Sequence, residues 1–178
     1  MGDLADRLAR GEHSAFAELY DACAARLHPY LVGRLGSRAD ADDVLQETFI
    51  RIARAGRKLA GVDNLLAYAF TVARNEAARL LARQLRESDH RSNHPQASDL
   101  FCEAASDDLE AREMAEALAA ALARLPSEQR EIVELKSYTQ LTLREIAAIT
   151  GLPQGTVATR YRTALANLRG WLERKCHE

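Results

Sequence analysis

The strongest constraint on the fold is a local pattern near the end of the chain that is typical of two helices joined by a tight turn. Thr142 and Glu145 have the Ser/Thr-x-x-Glu spacing of a capping box, which begins a helix by satisfying its first backbone N–H groups. Ala147 is small where two helices would cross closely, and Gly151 stands where the turn requires a positive φ. Val157 supplies an apolar contact from the second helix. The pattern therefore predicts a helix-turn-helix.

The second helix of such a motif can enter the major groove of duplex DNA, where polar side chains reach base edges and phosphates. The candidates for these contacts are Gln154, Thr156, Thr159, Arg160 and Arg162. Arg160 could equally hold a phosphate, a contact that positions a protein without specifying sequence. The alternative interpretation is an ordinary αα-corner inside a helical bundle.

Helical periodicity extends along most of the remaining chain. Apolar residues recur at three- and four-residue steps, and the first run is predicted to form one apolar stripe. That stripe consists of Ala15, Phe16, Leu19, Tyr20, Leu27, Leu31 and Leu35. Because helix formers dominate and aromatic residues make up only 6% of the chain, the predicted fold class is all-α.

Breaks in the periodicity divide the chain. After Gly36, Asp40 is the predicted N-cap of the next helix, and Asp63 or Asn64 is the predicted N-cap of the one after that. Periodicity then fades through a polar stretch that contains Pro95. We therefore predict two small helical domains, residues 1–86 and 118–178, joined by a flexible acidic linker, residues 87–117, that runs into the next helix.

The distribution of charge favours a nucleic-acid partner, although the whole chain carries a formal charge of only −2. Residues 1–86 and 118–178 carry +2 and +3, whereas residues 87–117 carry −7. Residues 48–62 and 153–170 each contain several basic residues and no acidic residue. A solvated helix face explains any single basic run, but two such runs in separate domains favour contact with DNA.

Other function classes lack a signal in the sequence. The three widely spaced cysteines do not indicate a disulfide framework, and Cys23 is predicted to be a small buried side chain. His90, His94 and Cys102 have no fourth ligand at a usual zinc spacing, so no metal or other cofactor is expected. No phosphate-binding loop or nucleophile elbow is present, and we expect no enzymatic activity. The apolar runs are too short for a membrane span and no signal peptide is apparent, so a cytoplasmic location is expected.

Two stretches of the chain resemble a known family. Residues 123–172, which open Leu125-Pro-Ser-Glu-Gln-Arg-Glu-Ile-Val, resemble region four of the extracytoplasmic-function (ECF) sigma factors of bacterial RNA polymerase. Residues 14–86 are similar to region two of the same family. The distinctive run there is Arg38-Ala-Asp-Ala-Asp-Asp-Val-Leu-Gln-Glu-Thr-Phe-Ile-Arg-Ile, and Val72-Ala-Arg-Asn-Glu-Ala follows it. The resemblance implies a sigma factor that binds core RNA polymerase, directs it to promoters and assists promoter opening.

The resemblance also implies roles for particular residues. The helix after the Asp-rich segment would dock on the β′ coiled coil of polymerase, through Asp43, Gln46, Glu47, Phe49 and Arg51, with Val44 and Leu45 in the domain core. The following loop and helix would capture unpaired bases of the minus-ten promoter element. The residues implied are Arg57, Lys58, Asp63, Asn64, Arg74, Asn75 and Arg79.

Region four would read the minus-thirty-five element as duplex and contact the β flap of polymerase. Ala158 stands at a recognition position where the family commonly has a basic residue, and Arg162 would compensate. Family members are commonly held by an anti-sigma factor, which is therefore an implied partner. The main rival interpretation is a stand-alone helix-turn-helix regulator that binds duplex DNA without polymerase.

Overall fold

The computed structural model describes residues 2–88, 109–139 and 141–175. These residues form eight α-helices and one 3₁₀ turn, with no strand among them, and the chain divides into two compact units, Met1–His94 and Pro95–Glu178. The prediction of an all-α fold with two helical domains is confirmed. The greater part of the predicted linker lies outside the described residues, as do His90, His94 and Cys102. The domain bounds inferred from the sequence stay a prediction.

The first unit contains four helices and the 3₁₀ turn. They are α1 (Gly2–Ala9), α2 (His13–Leu35), α3 (Arg38–Ala55), the 3₁₀ turn (Gly56–Leu59) and α4 (Leu65–Ser88). Helices α2, α3 and α4 pack against one another around a core that includes Leu27, Leu31, Ile52 and Phe70, all fully buried. The rings of Tyr30 and Phe70 lie 5.7 Å apart between centroids and fix how α2 meets α4.

Local capping chemistry sets the helix boundaries of this unit. Gly36 ends α2 with a φ of +69°, and its N–H donates to the Val32 carbonyl at 2.9 Å. The hydroxyl of Ser37 then accepts from the Asp40 N–H at 3.2 Å, so Ser37 is the N-cap of α3. The prediction that Asp40 is the N-cap was wrong, because α3 begins at Arg38 and places Asp40 in the first turn. At the start of α4 the Asn64 side chain accepts from the Ala67 N–H at 2.9 Å, which confirms Asn64 as a capping residue.

The apolar stripe predicted along α2 is only partly correct. Ala15 and Leu19 are buried, but Phe16 is half-buried and Tyr20 is 46% exposed. Adjacent residues on a helix are about 100° apart, so two neighbouring apolar positions cannot both point at one narrow core contact. Cys23, in contrast, is fully buried as predicted, and this burial raises the pKa of its thiol to about 11.

The second unit contains α5 (Leu109–Ala123), α6 (Ser127–Thr139), α7 (Leu143–Thr150) and α8 (Gln154–Lys175). The capping box predicted from Thr142 and Glu145 is present, and Gly151 has a φ of +71° at the turn between α7 and α8. Val157 is fully buried as the first apolar contact of α8. The predicted helix-turn-helix is therefore formed.

Another cluster in the core of the second unit joins α8 to α5 and α6. Val133, Ala164 and Leu168 are buried members of this cluster, and Trp171 packs against it.

The position of Trp171 provides a test of this core. Replacing Leu168 with alanine is expected to lower the free energy of unfolding of the second unit by about 2–5 kcal/mol, since it leaves a cavity under α8. Urea titration followed by Trp171 fluorescence measures this change. Leu165, on the same helix but 42% exposed, is the matched control, and Leu165→Ala is expected to change stability by less than about 0.5 kcal/mol. Equal losses in the two variants would contradict the assignment of Leu168 to the core.

The described helices offer neither a membrane span nor a metal site. Within residues 2–88, 109–139 and 141–175, no helix combines the length and the apolar character needed to cross a bilayer. The same residues contain no cluster of histidine, cysteine, aspartate and glutamate that could hold a metal ion.

Candidate protein and nucleic-acid interfaces

An open groove of about 750 Å³ lies between α2 and α3 of the first unit. Two of the predicted polymerase-docking residues, Gln46 and Phe49, line its α3 wall. The α2 wall is lined by Phe16 and Tyr20, and the Tyr20 and Phe49 rings lie 4.8 Å apart between centroids. The groove therefore presents aromatic side chains to solvent, as protein interfaces commonly do.

Sequence reasoning missed the contribution of α2 to this groove. Phe16 and Tyr20 are predicted to share one apolar stripe with Leu19, whereas in the structure they line one wall of a surface groove. The signal that could have identified them is the excess of apolar residues on α2 over what one core-facing stripe can hold. Leu45 is buried, as predicted, and also forms part of the groove lining.

The other three predicted docking residues lie outside the groove lining. Asp43 is exposed on α3. Arg51 Nε lies 2.9 Å from Glu47 Oε1 and 3.0 Å from Glu76 Oε1, so it joins α3 to α4. The same Glu76 oxygen accepts from Arg79 Nη1 at 2.6 Å. The structure thus brings Arg51 and Arg79, which were predicted to face different partners, onto one carboxylate.

The 3₁₀ turn presents two exposed cations, Arg57 and Lys58. Arg57 and Lys58 are exposed and make no ion pair with any residue that the structure describes, while Leu59 between them and the loop is fully buried. Gly56 and Gly61, at φ +49° and +80°, bracket the turn. Exposed cations on a tight turn, such as these two, suit contact with the phosphates of a nucleic-acid strand.

Helix α1 packs against this 3₁₀ turn and contributes the buried side chains of Ala5 and Leu8. Arg7 fastens α1 to α2, since its guanidinium lies 2.8 Å from Glu18, 3.1 Å from Glu12 and 3.2 Å from the Ser14 hydroxyl. Hydrogen bonds to Glu18 and then Glu12 raise the pKa of Arg7, and those from Arg10 and Arg7 lower the pKa of Glu12.

The remaining residues predicted to capture the minus-ten strand lie in the loop and along α4. Asp63 and Asn75 are exposed and Arg74 is half-buried. The amide of Asn64 caps α4, so its side-chain oxygen already accepts one hydrogen bond.

In the second unit, three of the predicted recognition residues are exposed on α8. Gln154, Thr159 and Arg162 are exposed, whereas Thr156 and Ala158 are half-buried. Arg162 Nε is 3.4 Å from the Ala158 carbonyl and makes no ion pair among the described residues. It is therefore the most available cation on this part of the helix.

Arg160 differs from the other recognition candidates because it is tied to another helix. Its Nη2 lies 2.7 Å from Glu128 Oε2 at the start of α6, and its side chain is 29% exposed. The partnership of Glu128 was not foreseen from the sequence, since it depends on how α6 and α8 pack.

Comparisons with known proteins match the two units to two regions of one protein family. Residues 19–87 match the protein-family model "Sigma-70 region 2", and residues 115–168 match "Sigma-70, region 4". The chain is 33% identical over 167 residues to ECF RNA polymerase sigma factor RpoE of Cereibacter sphaeroides, covering 89% of this chain and 86% of that protein. It is 31% identical over 166 residues to ECF RNA polymerase sigma factor SigL of Mycobacterium tuberculosis, covering 90% of each chain.

Two solved structures share the fold. CnrH, in complex with the cytosolic domain of CnrY, superposes with a TM-score of 0.72 at 22% identity, over 97% of each chain. The sigma factor RpoE of Bartonella quintana, in complex with the anti-sigma factor NepR, gives a TM-score of 0.65 at 23% identity. That match covers 90% of this chain and 95% of the other.

Proposed function

Because the chain belongs to the ECF family of RNA polymerase sigma factors, we propose that it binds core RNA polymerase, directs it to specific promoters and assists their opening. The observation that carries this proposal is the presence of both sigma-70 regions, in order, in one chain. It acts as a specificity subunit rather than as an enzyme, and its place of action is the cytoplasm, where polymerase transcribes.

The first unit provides the docking surface for the β′ coiled coil of polymerase. The aromatic groove between α2 and α3 receives the apolar part of the contact, with Gln46 and Phe49 in its wall. Asp43, Glu47 and Arg51 supply the charged part beside it. Apolar anchors surrounded by charge are typical of specific protein interfaces.

The same unit captures the minus-ten element as a single strand. Arg57 and Lys58 are placed to hold the backbone, and Asp63, Asn64, Arg74, Asn75 and Arg79 lie along the loop and helix that follow. Extruding a base costs about a few kcal/mol, so capture requires cations that are not already neutralised. The two exposed cations of the 3₁₀ turn meet this requirement.

The second unit reads the minus-thirty-five element through α8 and contacts the β flap. Thr159 and Arg162 are exposed on α8 and face base edges, with Gln154, Thr156 and Ala158 nearby. Arg160, held by Glu128, acts as a phosphate clamp that sets the position of the helix.

Arg162 provides the sharpest test of duplex reading. Replacing Arg162 with alanine is expected to weaken holoenzyme binding to a minus-thirty-five duplex by about tenfold, within the range of a lost base contact. Band-shift titration measures this loss. Thr159→Ala is expected to act in the same direction. Arg169→Ala on the same helix, where Arg169 pairs with Glu173 at 2.9 Å, is the matched control and should change binding less than about twofold. Loss of polymerase binding in the Arg162 variant would contradict the assignment.

The decisive experiment for the whole function is reconstituted transcription. Purified chain and core RNA polymerase are incubated with a promoter library, and transcript ends are mapped. Initiation at defined promoters that requires the chain supports the proposal. Tight duplex binding without polymerase, and no chain-dependent initiation, would instead support the stand-alone regulator, which the comparisons do not favour.

An anti-sigma factor is the proposed regulatory partner. The support comes from the two solved structures of similar fold, in which a sigma factor is in complex with the anti-sigma factor NepR and CnrH is in complex with the cytosolic domain of CnrY. Co-purification of the tagged chain from its native cells, followed by mass spectrometry, tests for such a partner.

A further inference from the structure

Glu76 is a buried carboxylate that two arginines share. Its side chain is only 10% exposed, and its Oε1 lies 3.0 Å from Arg51 Nε and 2.6 Å from Arg79 Nη1. Arg51 also pairs with Glu47 at 2.9 Å. The four side chains form a network with no net charge, so the positive charge of Arg79 is compensated inside the unit.

The cations of the 3₁₀ turn differ from Arg79, because no described carboxylate compensates their charge. Arg57 and Lys58 are exposed and unpaired within the described part of the first unit. A phosphate that binds either of them displaces only salt ions. A phosphate that binds Arg79 at Nη1 must also displace the Glu76 carboxylate, which accepts a hydrogen bond from that nitrogen at 2.6 Å.

The arrangement permits that displacement. The Arg79 side chain is 62% exposed, so the guanidinium can turn toward solvent while the Glu76 carboxylate stays in place. Glu76 would then keep its 3.0 Å contact with Arg51, and its charge would not be left buried without a partner. Arg79 can therefore release Glu76, because Arg51 still compensates the charge of that carboxylate.

We propose that Glu76 is a positioning residue that withholds Arg79 from nucleic acid in the free chain, so that strand binding must exchange the Glu76 carboxylate for a phosphate. The inference rests on the proposed function of this surface in capturing single-stranded promoter DNA. It adds that the free chain relies on Arg57 and Lys58 for its contact with the strand. Competition from the Glu76 carboxylate then sets the affinity of Arg79 for phosphate.

The salt dependence of binding provides the test, because each phosphate neutralised on a single strand contributes about 0.7 to the slope of log K against log salt. The full chain, without polymerase, is titrated against a fluorescent mixed-sequence single-stranded DNA oligonucleotide at several salt concentrations. Glu76→Gln keeps the shape of the side chain and removes its charge. It is expected to tighten binding and to steepen the slope by about 0.7.

A matched control separates release of Arg79 from simple loss of negative charge. Glu18→Gln removes the same charge from another carboxylate–arginine pair of the first unit, since Glu18 pairs with Arg7 at 2.8 Å. Its slope is expected to stay within about 0.2 of the wild type, well below the value for one phosphate. An equal steepening in Glu18→Gln and Glu76→Gln would overturn the proposal.

Two further variants keep the test independent of how well Glu76→Gln folds. Arg57→Gln is expected to make the slope shallower by about 0.7, and Arg79→Gln by less than half of that, because Arg79 is already neutralised. Both side chains are exposed, so neither change disturbs the core. An Arg79→Gln effect as large as that of Arg57→Gln would overturn this inference alone. No effect of Arg57→Gln would instead contradict the proposed capture surface.

Discussion

Replacing Phe49 with alanine is expected to weaken binding of the chain to core RNA polymerase by about 30-fold, which corresponds to about 2 kcal/mol. Phe49 lies in the wall of the α2–α3 groove with its ring 4.8 Å from that of Tyr20, so its removal empties the aromatic centre of the proposed docking surface. Fluorescence anisotropy of labelled chain with increasing polymerase measures the change in affinity.

The control for Phe49 is another large apolar side chain of the same unit that lies outside the groove lining. Leu85 is 54% exposed on α4, and Leu85→Ala is expected to change polymerase affinity less than about twofold. Thermal unfolding of both variants shows whether either loses its fold. Unchanged polymerase binding in a folded Phe49→Ala variant would remove the groove from the docking surface.

The joint replacement of Arg57 and Lys58 with alanine is expected to reduce promoter opening by at least about tenfold. These are the open cations of the 3₁₀ turn, and without them the cost of unstacking and extruding bases, on the order of a few kcal/mol, is no longer offset by contacts to the strand. Permanganate reactivity of unpaired thymines in the complex with polymerase measures opening directly.

Charge-conserving changes test whether the two positions act through their cations. Arg57→Lys with Lys58→Arg keeps both positive charges and should retain most of the opening, while the double alanine variant should bind polymerase as tightly as the wild type. Opening that is lost equally in both double variants would point to the shape of the turn instead of its charge.

Local chemistry explains which parts of the fold the sequence could predict. The capping box of Thr142 and Glu145 and the left-handed Gly151 depend on residues within a few positions of one another, and both are present as expected. The start of α3 was correctly predicted to lie near Asp40, but Asp40 is not its N-cap. Ser37, three residues earlier, has an equally suitable side chain, and only the true start of α3 distinguishes the two.

Tertiary contacts limited the prediction of the sites. Nothing local indicates that Arg160 meets Glu128, or that Arg51 and Arg79 share Glu76, because these partners come together only when the helices pack. The sequence identified residue types suited to polymerase and DNA, but not which cations are already neutralised. The predicted apolar stripe includes the exposed Tyr20 for a related reason, since periodicity counts apolar residues without showing which of them the neighbouring helices cover.

Helix α1 lies outside the residues that match the region-two family model. The match to region two begins at residue 19, whereas α1 ends at Ala9 and nevertheless packs on the turn that carries Arg57 and Lys58. Its buried Leu8 and the Arg7 contacts to α2 give it a fixed position there. A substitution in α1 that loosens this packing can therefore shift the turn and its two cations, although α1 carries neither of them.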